Sequence, residues 1–217
     1  ETLWCKPAEQ SISNSAVEVD ADGNLFFTAG SMLYALTPSG EELWSLEISP
    51  AADNQNNWGL HLSPDGHIAT VNQAGLVLLV NRSTGQVLDT FSIPEVYGFV
   101  PPASIDMGID FTSLLPDSVQ DNINMIYGEP TDEEAGSSFG SFLGANGFVD
   151  NTLGISDDGD IYVIGGGQDD QNGALVQIKV NGTVDAPKME AGWYTPTNAG
   201  SASSPSISPG GRYVVIA

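Results

Sequence analysis

Short apolar runs alternate with glycine-centred turns along most of the chain. Four segments are variants of one pattern: VDADGNLFFTAG (19–30), LSPDGHIATVNQAG (62–75), ISDDGDIYVIGGG (155–167) and ISPGGRYVVIA (207–217). Each has an apolar strand end, a Ser or Asp, a two-residue turn centred on Asp-Gly or Gly-Gly, and a run rich in Ile, Val, Tyr and Phe. Glycine supplies the positive φ of a tight hairpin, and β-branched and aromatic residues favour strands, so the pattern predicts a repeated β-hairpin.

A second hairpin follows three of these segments. Its apolar strands flank turns at Ser39-Gly40, Thr84-Gly85 and Asn181-Gly182. The repeating unit is therefore predicted to have four short antiparallel strands, A to D in chain order.

The spacing of the turn glycines sets the size of this unit. Gly66 follows Gly23 by 43 residues, and Gly211 follows Gly159 by 52. Both spacings match the period of propeller blades, which is roughly 40 to 50 residues. The interval of 93 residues between Gly66 and Gly159 is twice as long. A divergent blade or a blade-sized insertion is therefore expected at 95–150.

The stretch LYALTPSGEELW, Leu33 to Trp44, resembles a known repeat. It is similar to that of the pyrroloquinoline-quinone-like β-propellers, in which a strand, a Thr-Gly or Ser-Gly turn and a strand ending in Trp recur in every blade. The resemblance implies an all-β fold, a β-propeller of four-stranded antiparallel blades. It also implies that Trp4 and Trp44 are docking tryptophans that join neighbouring blades. Function does not follow, because one propeller scaffold hosts dehydrogenases, lyases, assembly factors and interaction modules.

Residues 1–217 are predicted to form one propeller domain, which is divided into blades. Residues 1–7 contain ETLW, which matches EELW at 41–44, and are expected to be the outer strand of a split blade. The other expected segments are blades at 15–49, 58–94 and 151–191, the divergent blade or insertion at 95–150, and the start of a further blade at 200–217. We expect an incomplete part of a roughly six- to eight-bladed ring, with a compact five-bladed ring as the alternative.

The charge balance excludes some partners. The chain has 28 acidic and 5 basic residues, a net charge of −23, which repels phosphate backbones and anionic membranes. We therefore expect no nucleic-acid partner. Two explanations stay open: a solvated acidic surface suited to salty surroundings, or a face for cations or a basic partner. No apolar run approaches 18 residues, so no membrane span is expected.

Export is compatible with the remaining signals. Two glycosylation sequons begin at Asn81 and Asn181. The single cysteine, Cys5, is expected to be a buried thiol or to bond to a segment outside this sequence. We expect an extracytoplasmic protein, periplasmic or secreted, whose signal was removed or lies outside this sequence.

Ligand residues are expected on one face. In propellers the D-to-A and B-to-C connections share a face that usually carries ligands. The candidates there are His61, Trp58, Asp106, Asp110, Trp193 and Tyr194. The aromatic rings would stack on a sugar or planar cofactor, with plain packing as the alternative. For His61 and His67 the alternative is a structural or surface histidine. Residues 95–150 contain many Asp and Glu and no Lys or Arg, and we call them the acidic segment. It is either a lid over a cation or polar ligand, or a solvated loop with a short helix at 116–126.

One loop has the composition of a metal site. Asp169, Asp170 and Asn172 follow three glycines in a B-to-C connection, and such oxygen-rich tips can hold Ca²⁺. Ca²⁺ is thus the one cofactor suggested. Quinone-binding family members use a vicinal cysteine pair, a tryptophan floor and a carboxylate-bound calcium. This chain shows no such constellation, so nothing in it indicates bound pyrroloquinoline quinone.

No catalytic triad or zinc spacing can be read from the sequence. The predicted function is a non-enzymatic exported binding or scaffold module whose loop face engages a protein or polymer. The remaining blades on another chain are a further candidate partner. The alternative function is a calcium-assisted quinoprotein-like oxidoreductase or lyase. In that alternative His61 and the carboxylates of the acidic segment meet at the channel mouth.

Overall fold

The computed structural model describes residues 17–48, 57–98, 149, 151–166, 173–197 and 204–216. Within these ranges the strands form four sheets that follow one another along the chain. Sheet 1 contains β1 (Glu18–Val19), β2 (Leu25–Ala29), β3 (Met32–Leu36) and β4 (Glu42–Glu47). Sheet 2 contains β5 (Asn57–Leu62), β6 (His67–Asn72), β7 (Leu76–Asn81) and β8 (Val87–Ser92), followed by helix α1 (Ile93–Tyr97).

Sheet 3 contains β9 (Gly154–Ile155), β10 (Ile161–Gly166), β11 (Gly173–Thr183) and β12 (Ala186–Thr197), and sheet 4 contains β13 (Ser206–Ile207) and β14 (Val214–Val215). Sheets 1 to 3 have four strands each, paired antiparallel in chain order. The predicted four-stranded antiparallel unit is therefore confirmed.

The repeated first turn is one residue longer than the sequence predicted. In sheet 1 the carbonyl of Asp20 accepts from Gly23 N at 3.0 Å, and Asp20 N donates to the carbonyl of Asn24 at 3.0 Å. The loop between these pairs has three residues, and Gly23 adopts a φ of 81° at its end. Equivalent bonds close the turns that start at Ser63 and Ser156. The loop at Ser208 is one residue longer still, since Ser208 N donates to Tyr213 O.

The side chain that opens the turns at Asp20, Ser63 and Ser208 explains why Ser or Asp recurs there, whereas the Ser156 hydroxyl donates to the carbonyl of Asp160 at 3.4 Å. The hydroxyl of Ser63 accepts a hydrogen bond from His67 N at 3.0 Å. Asp20 Oδ1 makes the same bond to Asn24 N at 2.9 Å. A short oxygen-bearing side chain can accept such a bond from its own turn, which stabilises the turn locally.

Alternation along the strands sends side chains into two separate interfaces. In sheet 2, Ile68, Leu78 and Val80 pack towards sheet 1, whereas Ala69, Val71, Val77 and Leu79 pack towards sheet 3. Sheet 3 uses its other face, with Tyr162 and Ile164, to pack on Ile207 and Val214 of sheet 4. Successive side chains of a strand point to opposite faces, so each inner sheet is apolar on both sides.

Trp44 joins sheet 1 to sheet 2, as the family resemblance implied. Its Nε1 donates to the carbonyl of Arg82 at 2.9 Å. Its ring lies over Gly85, where a Cβ would be 2.8 Å from the ring atoms. The contact therefore requires glycine at this turn.

Several predicted segments lie outside the described residues. These are the outer strand at 1–7, with Trp4 and Cys5, and nearly all of the divergent blade or insertion, with its helix at 116–126. Sheets 2 and 3 share one apolar core, and among the described residues no strand of another sheet lies between them. Strand β12 continues to Thr197, beyond the expected blade end at 191.

Candidate functional site

The last hairpin of sheet 3 reaches across to sheet 2. Strand β10 pairs with β11 only as far as Ile178, whereas β11 and β12 pair onward to the turn between Thr183 and Ala186. We call residues 179–190 the hairpin arm. Its Val180 and Met189 pack against the core shared with sheet 2. The arm therefore lies beside β8, the outer strand of sheet 2.

Asp89 of β8 fixes one end of this contact. Its Oδ2 accepts from Met189 N at 2.7 Å, and its Oδ1 accepts from Lys188 Nζ at 3.0 Å. Burial, which leaves the Asp89 side chain 13% exposed, favours the neutral acid. The hydrogen bonds from Met189 and Lys188 outweigh burial and hold the pKa of Asp89 below its ordinary value. Asp89 is therefore a charged clamp between the two sheets.

Helix α1 provides the second contact and starts from local signals. Ser92 caps it by accepting from Glu95 N at 3.4 Å, a proline stands in its first turn, and Gly98 ends it with a φ of 70°. The letters SIPE at 92–95 are a capping-box pattern that the sequence analysis missed. The helix carries Tyr97 at its end and directs it towards sheet 3.

The hydroxyl of Tyr97 lies at a β-bulge in sheet 3. The register between β11 and β12 shifts between Val176 and Ile178, opposite Gly192. Tyr97 Oη donates to the carbonyl of Gln177 at 3.0 Å and accepts from the N–H of Gly192. Burial raises the pKa of Tyr97 and outweighs the opposing effect of the Gly192 N–H. Gly192 cannot carry a side chain, because a Cβ would lie 2.8 Å from the backbone carbonyl oxygen of Gln177.

A groove of about 860 Å³ lies between β8 with α1 on one side and β12 on the other. Phe91 and Met189 give it apolar surface, and Glu95, Lys188 and Glu190 give it charge. Such a volume suits a ligand or a polypeptide segment. The Asp89 clamp and the Tyr97 contact hold its two walls together.

The predicted aromatic residues separate in the structure. Trp58 is 2% exposed in the core between sheets 2 and 3, so its ring has no open face for a ligand. Trp193 is 44% exposed and packs on Tyr162, with ring centroids 6.0 Å apart. Tyr194 is 49% exposed and meets Tyr97 edge to face at 5.5 Å. Of these three, Tyr194 is the one beside a residue that holds the groove walls together.

The two histidines do not join this site. His61 Nδ1 lies 3.0 Å from Glu18 Oε1, and this pair links β5 to β1 of sheet 1. His61 is near the Ser63 turn, at the opposite end of β5 from Trp58. His67 is buried, at 4% exposure. The structure therefore does not bring His61 and the predicted aromatic residues together.

The remaining candidates, Asp106, Asp110, Asp169, Asp170 and Asn172, lie outside the described residues. In the part of the chain that is described, no group of three or more His, Cys, Asp or Glu side chains is placed to hold a metal ion. Calcium binding stays a prediction of the sequence. The described helix is too short to cross a membrane, and none in these ranges has the length and hydropathy to do so.

No protein-family model and no curated protein matches the chain. Several solved structures do. A europium-containing methanol dehydrogenase matches with a TM-score of 0.50 and 12% identity, over 88% of this chain and 40% of its own. The fold is a β-propeller.

Two further solved structures are similar at lower scores. BamB from Moraxella catarrhalis has a TM-score of 0.47 and 11% identity over 94% of this chain. A protein of unknown function from Bacteroides caccae has a TM-score of 0.45 and 13% identity over 91% of this chain. The propeller chain spans 43% and 50% of their lengths, respectively.

Proposed function

We propose that this chain is a non-enzymatic binding module of an exported β-propeller, and that the groove between β8 and β12 is its contact site. The observation that carries the proposal is the groove itself, which is held by contacts between its walls. A preformed site loses little conformational entropy on binding, which favours recognition. The pyrroloquinoline-quinone-like assignment, export and a larger ring belong to the same proposal.

The chemistry of the groove supports binding over catalysis. Asp89 and Lys188 neutralise one another, and Asp89 also holds the backbone of Met189. Tyr97 has its hydroxyl between two backbone groups of sheet 3. The strongest polar contacts of the groove therefore have a structural role. His61, the catalytic candidate of the enzyme alternative, lies with Glu18 and not at the groove.

Site-specific photo-cross-linking tests the proposal. The residue p-benzoylphenylalanine would replace Val96, which lines the groove and is 49% exposed. The matched control replaces Val184, 54% exposed in the turn of the hairpin arm and absent from the groove lining. The variants would be irradiated in the extracytoplasmic fraction of the source cells. We expect a discrete adduct from position 96 alone; no adduct, or equal adducts from both positions, would contradict the proposal.

A further inference from the structure

We propose that the groove binds an extended polypeptide segment bearing Lys or Arg side chains, added as a strand beside β8 and β12. This inference rests on the proposed binding function and names its partner class. It follows from the backbone edges that line the groove and from the carboxylates beside them.

Both walls of the groove contain the outer strand of a sheet. Among the described residues, β8 pairs with β7 alone and β12 with β11 alone. Met189 N donates to Asp89, so it points away from β11. In an antiparallel strand the N–H and C=O of one residue point to the same side, and the next residue but one repeats this direction. The N–H of Met189 is taken by Asp89, but the backbone N–H and C=O of Ala191 also point away from β11, and Ala191 lines the groove, where an extended segment can pair with it.

The carboxylates at the groove select for a basic segment. Glu95 and Glu190 are both exposed, and neither belongs to an ion pair among the described residues; Glu190 Oε2 accepts a hydrogen bond from Asn181 Nδ2 at 2.9 Å. Asp89 already has Lys188 as its partner. Lysine or arginine side chains of a bound strand would meet Glu95 and Glu190, and the net charge of −23 would attract such a segment from solution.

Apolar positions of the bound segment also have contacts available. Val96 is 49% exposed at the groove, and Phe91 and Met189 lie deeper in it. A strand alternates its side chains between two sides. A segment with alternating basic and apolar residues would therefore place one set on the carboxylates and the other on these apolar side chains.

The chain's own neighbouring segment does not fit this description. Residues 99–148 contain eight acidic residues and no lysine or arginine. A carbohydrate would use the exposed aromatic Tyr194 but would leave the strand edges unused. These observations favour a basic polypeptide from another protein.

Fluorescence anisotropy with three synthetic peptides of about ten residues tests the strand and the charge separately. The first alternates Lys and Val, the second alternates Glu and Val, and the third is the first with alternate backbone amides N-methylated. We expect the first to bind, and the other two to bind at least about tenfold more weakly. Equal binding of the N-methylated peptide would overturn strand addition, and equal binding of the acidic peptide would overturn the selection for basic residues.

Two double variants locate the binding. Glu95→Lys with Glu190→Lys changes the groove, and Glu41→Lys with Glu47→Lys makes the same change of net charge at exposed positions of sheet 1. We expect the first pair to weaken binding about tenfold and the second to change it little. Circular dichroism would check that both variants are folded. Equal losses in both would show attraction to general surface acidity and overturn the inference.

The failure of this inference can be distinguished from failure of the proposed function. An adduct at position 96 with no binding of the Lys-Val peptide would overturn the basic partner and keep the binding function. If that adduct contains a carbohydrate or a second copy of this chain, the proposed partner class is wrong, and the adduct identifies the class that replaces it. If neither an adduct nor peptide binding is found, the groove charges serve only to keep strand edges from pairing, and both proposals fall.

Discussion

The hydroxyl of Tyr97 donates a hydrogen bond of 3.0 Å to the backbone carbonyl of Gln177, 80 residues later in the chain. The same oxygen accepts from the N–H of Gly192, on the other strand of the bulge. A bulge leaves backbone groups without ladder partners, and here one side chain satisfies two of them. The contact ties α1 of sheet 2 to sheet 3 beside the groove.

Replacing Tyr97 by Phe should reduce the free energy of unfolding by about 1–3 kcal/mol, because the buried backbone groups lose their partner. Urea unfolding followed by circular dichroism would measure the loss. Tyr213→Phe is the control, since Tyr213 is 69% exposed. Equal stability of the two variants would show that the hydroxyl of Tyr97 contributes nothing.

Two glycine substitutions should separate the packing of Trp44 from backbone strain. Gly85 and Gly159 have φ values of 71° and 88°, so alanine costs about 1–2 kcal/mol of strain at either position. Gly85→Ala should cost about 1–3 kcal/mol more, because its Cβ would overlap the Trp44 ring. Nothing lies within 4 Å of a Cβ at Gly159. Chemical denaturation of both variants measures the difference, and equal losses would mean that the blades shift apart without cost.

The parts of the fold that sequence predicted depend on contacts within a few residues. The turns at Asp20, Ser63 and Ser156 each use a glycine and an oxygen-bearing side chain inside one short loop. Those residues recur along the chain, so their pattern is visible without a structure. The docking of Trp44 was predictable for a different reason, since the family resemblance supplied the neighbouring blade.

The candidate site could not be predicted in this way. Asp89 and Met189 are 100 residues apart, and Tyr97 meets Gln177 across the interface between two sheets. Neither contact leaves a local pattern, and the hairpin arm depends on how far β11 and β12 extend. Trp58 was expected near a ligand, but the alternation of β5 directs it into the core. Helix α1 alone had a readable signal, the capping box that starts at Ser92.

The repeated turn predicts which substitutions its first position accepts. Ser63→Ala should destabilise the protein by about 0.5–1.5 kcal/mol, because His67 N loses its side-chain acceptor. Ser63→Asp should restore most of this energy, since Asp20 makes the equivalent bond in sheet 1. Thermal unfolding would compare both with Ser83→Ala, a change at an exposed serine. A loss in the aspartate variant as large as in the alanine variant would contradict the equivalence of the turns.

The Asp89 clamp should make the contact between sheets 2 and 3 depend on pH. The folded-state pKa of Asp89 is below its ordinary value of 3.8, so the stability it contributes is present above that value and is lost as pH falls through the folded pKa. At pH 7, the free energy of unfolding of Asp89→Asn should be about 1 kcal/mol lower than that of the native chain, because Lys188 loses its charged partner. Urea unfolding at a series of pH values would follow the difference, which should shrink below about pH 4. Asp185→Asn, in the exposed turn of the hairpin arm, is the control. If the prediction holds, the free energy of unfolding of the native chain does not exceed that of Asp89→Asn by the same amount at every pH. A constant difference down to the lowest pH would show that the carboxylate charge does not hold the arm.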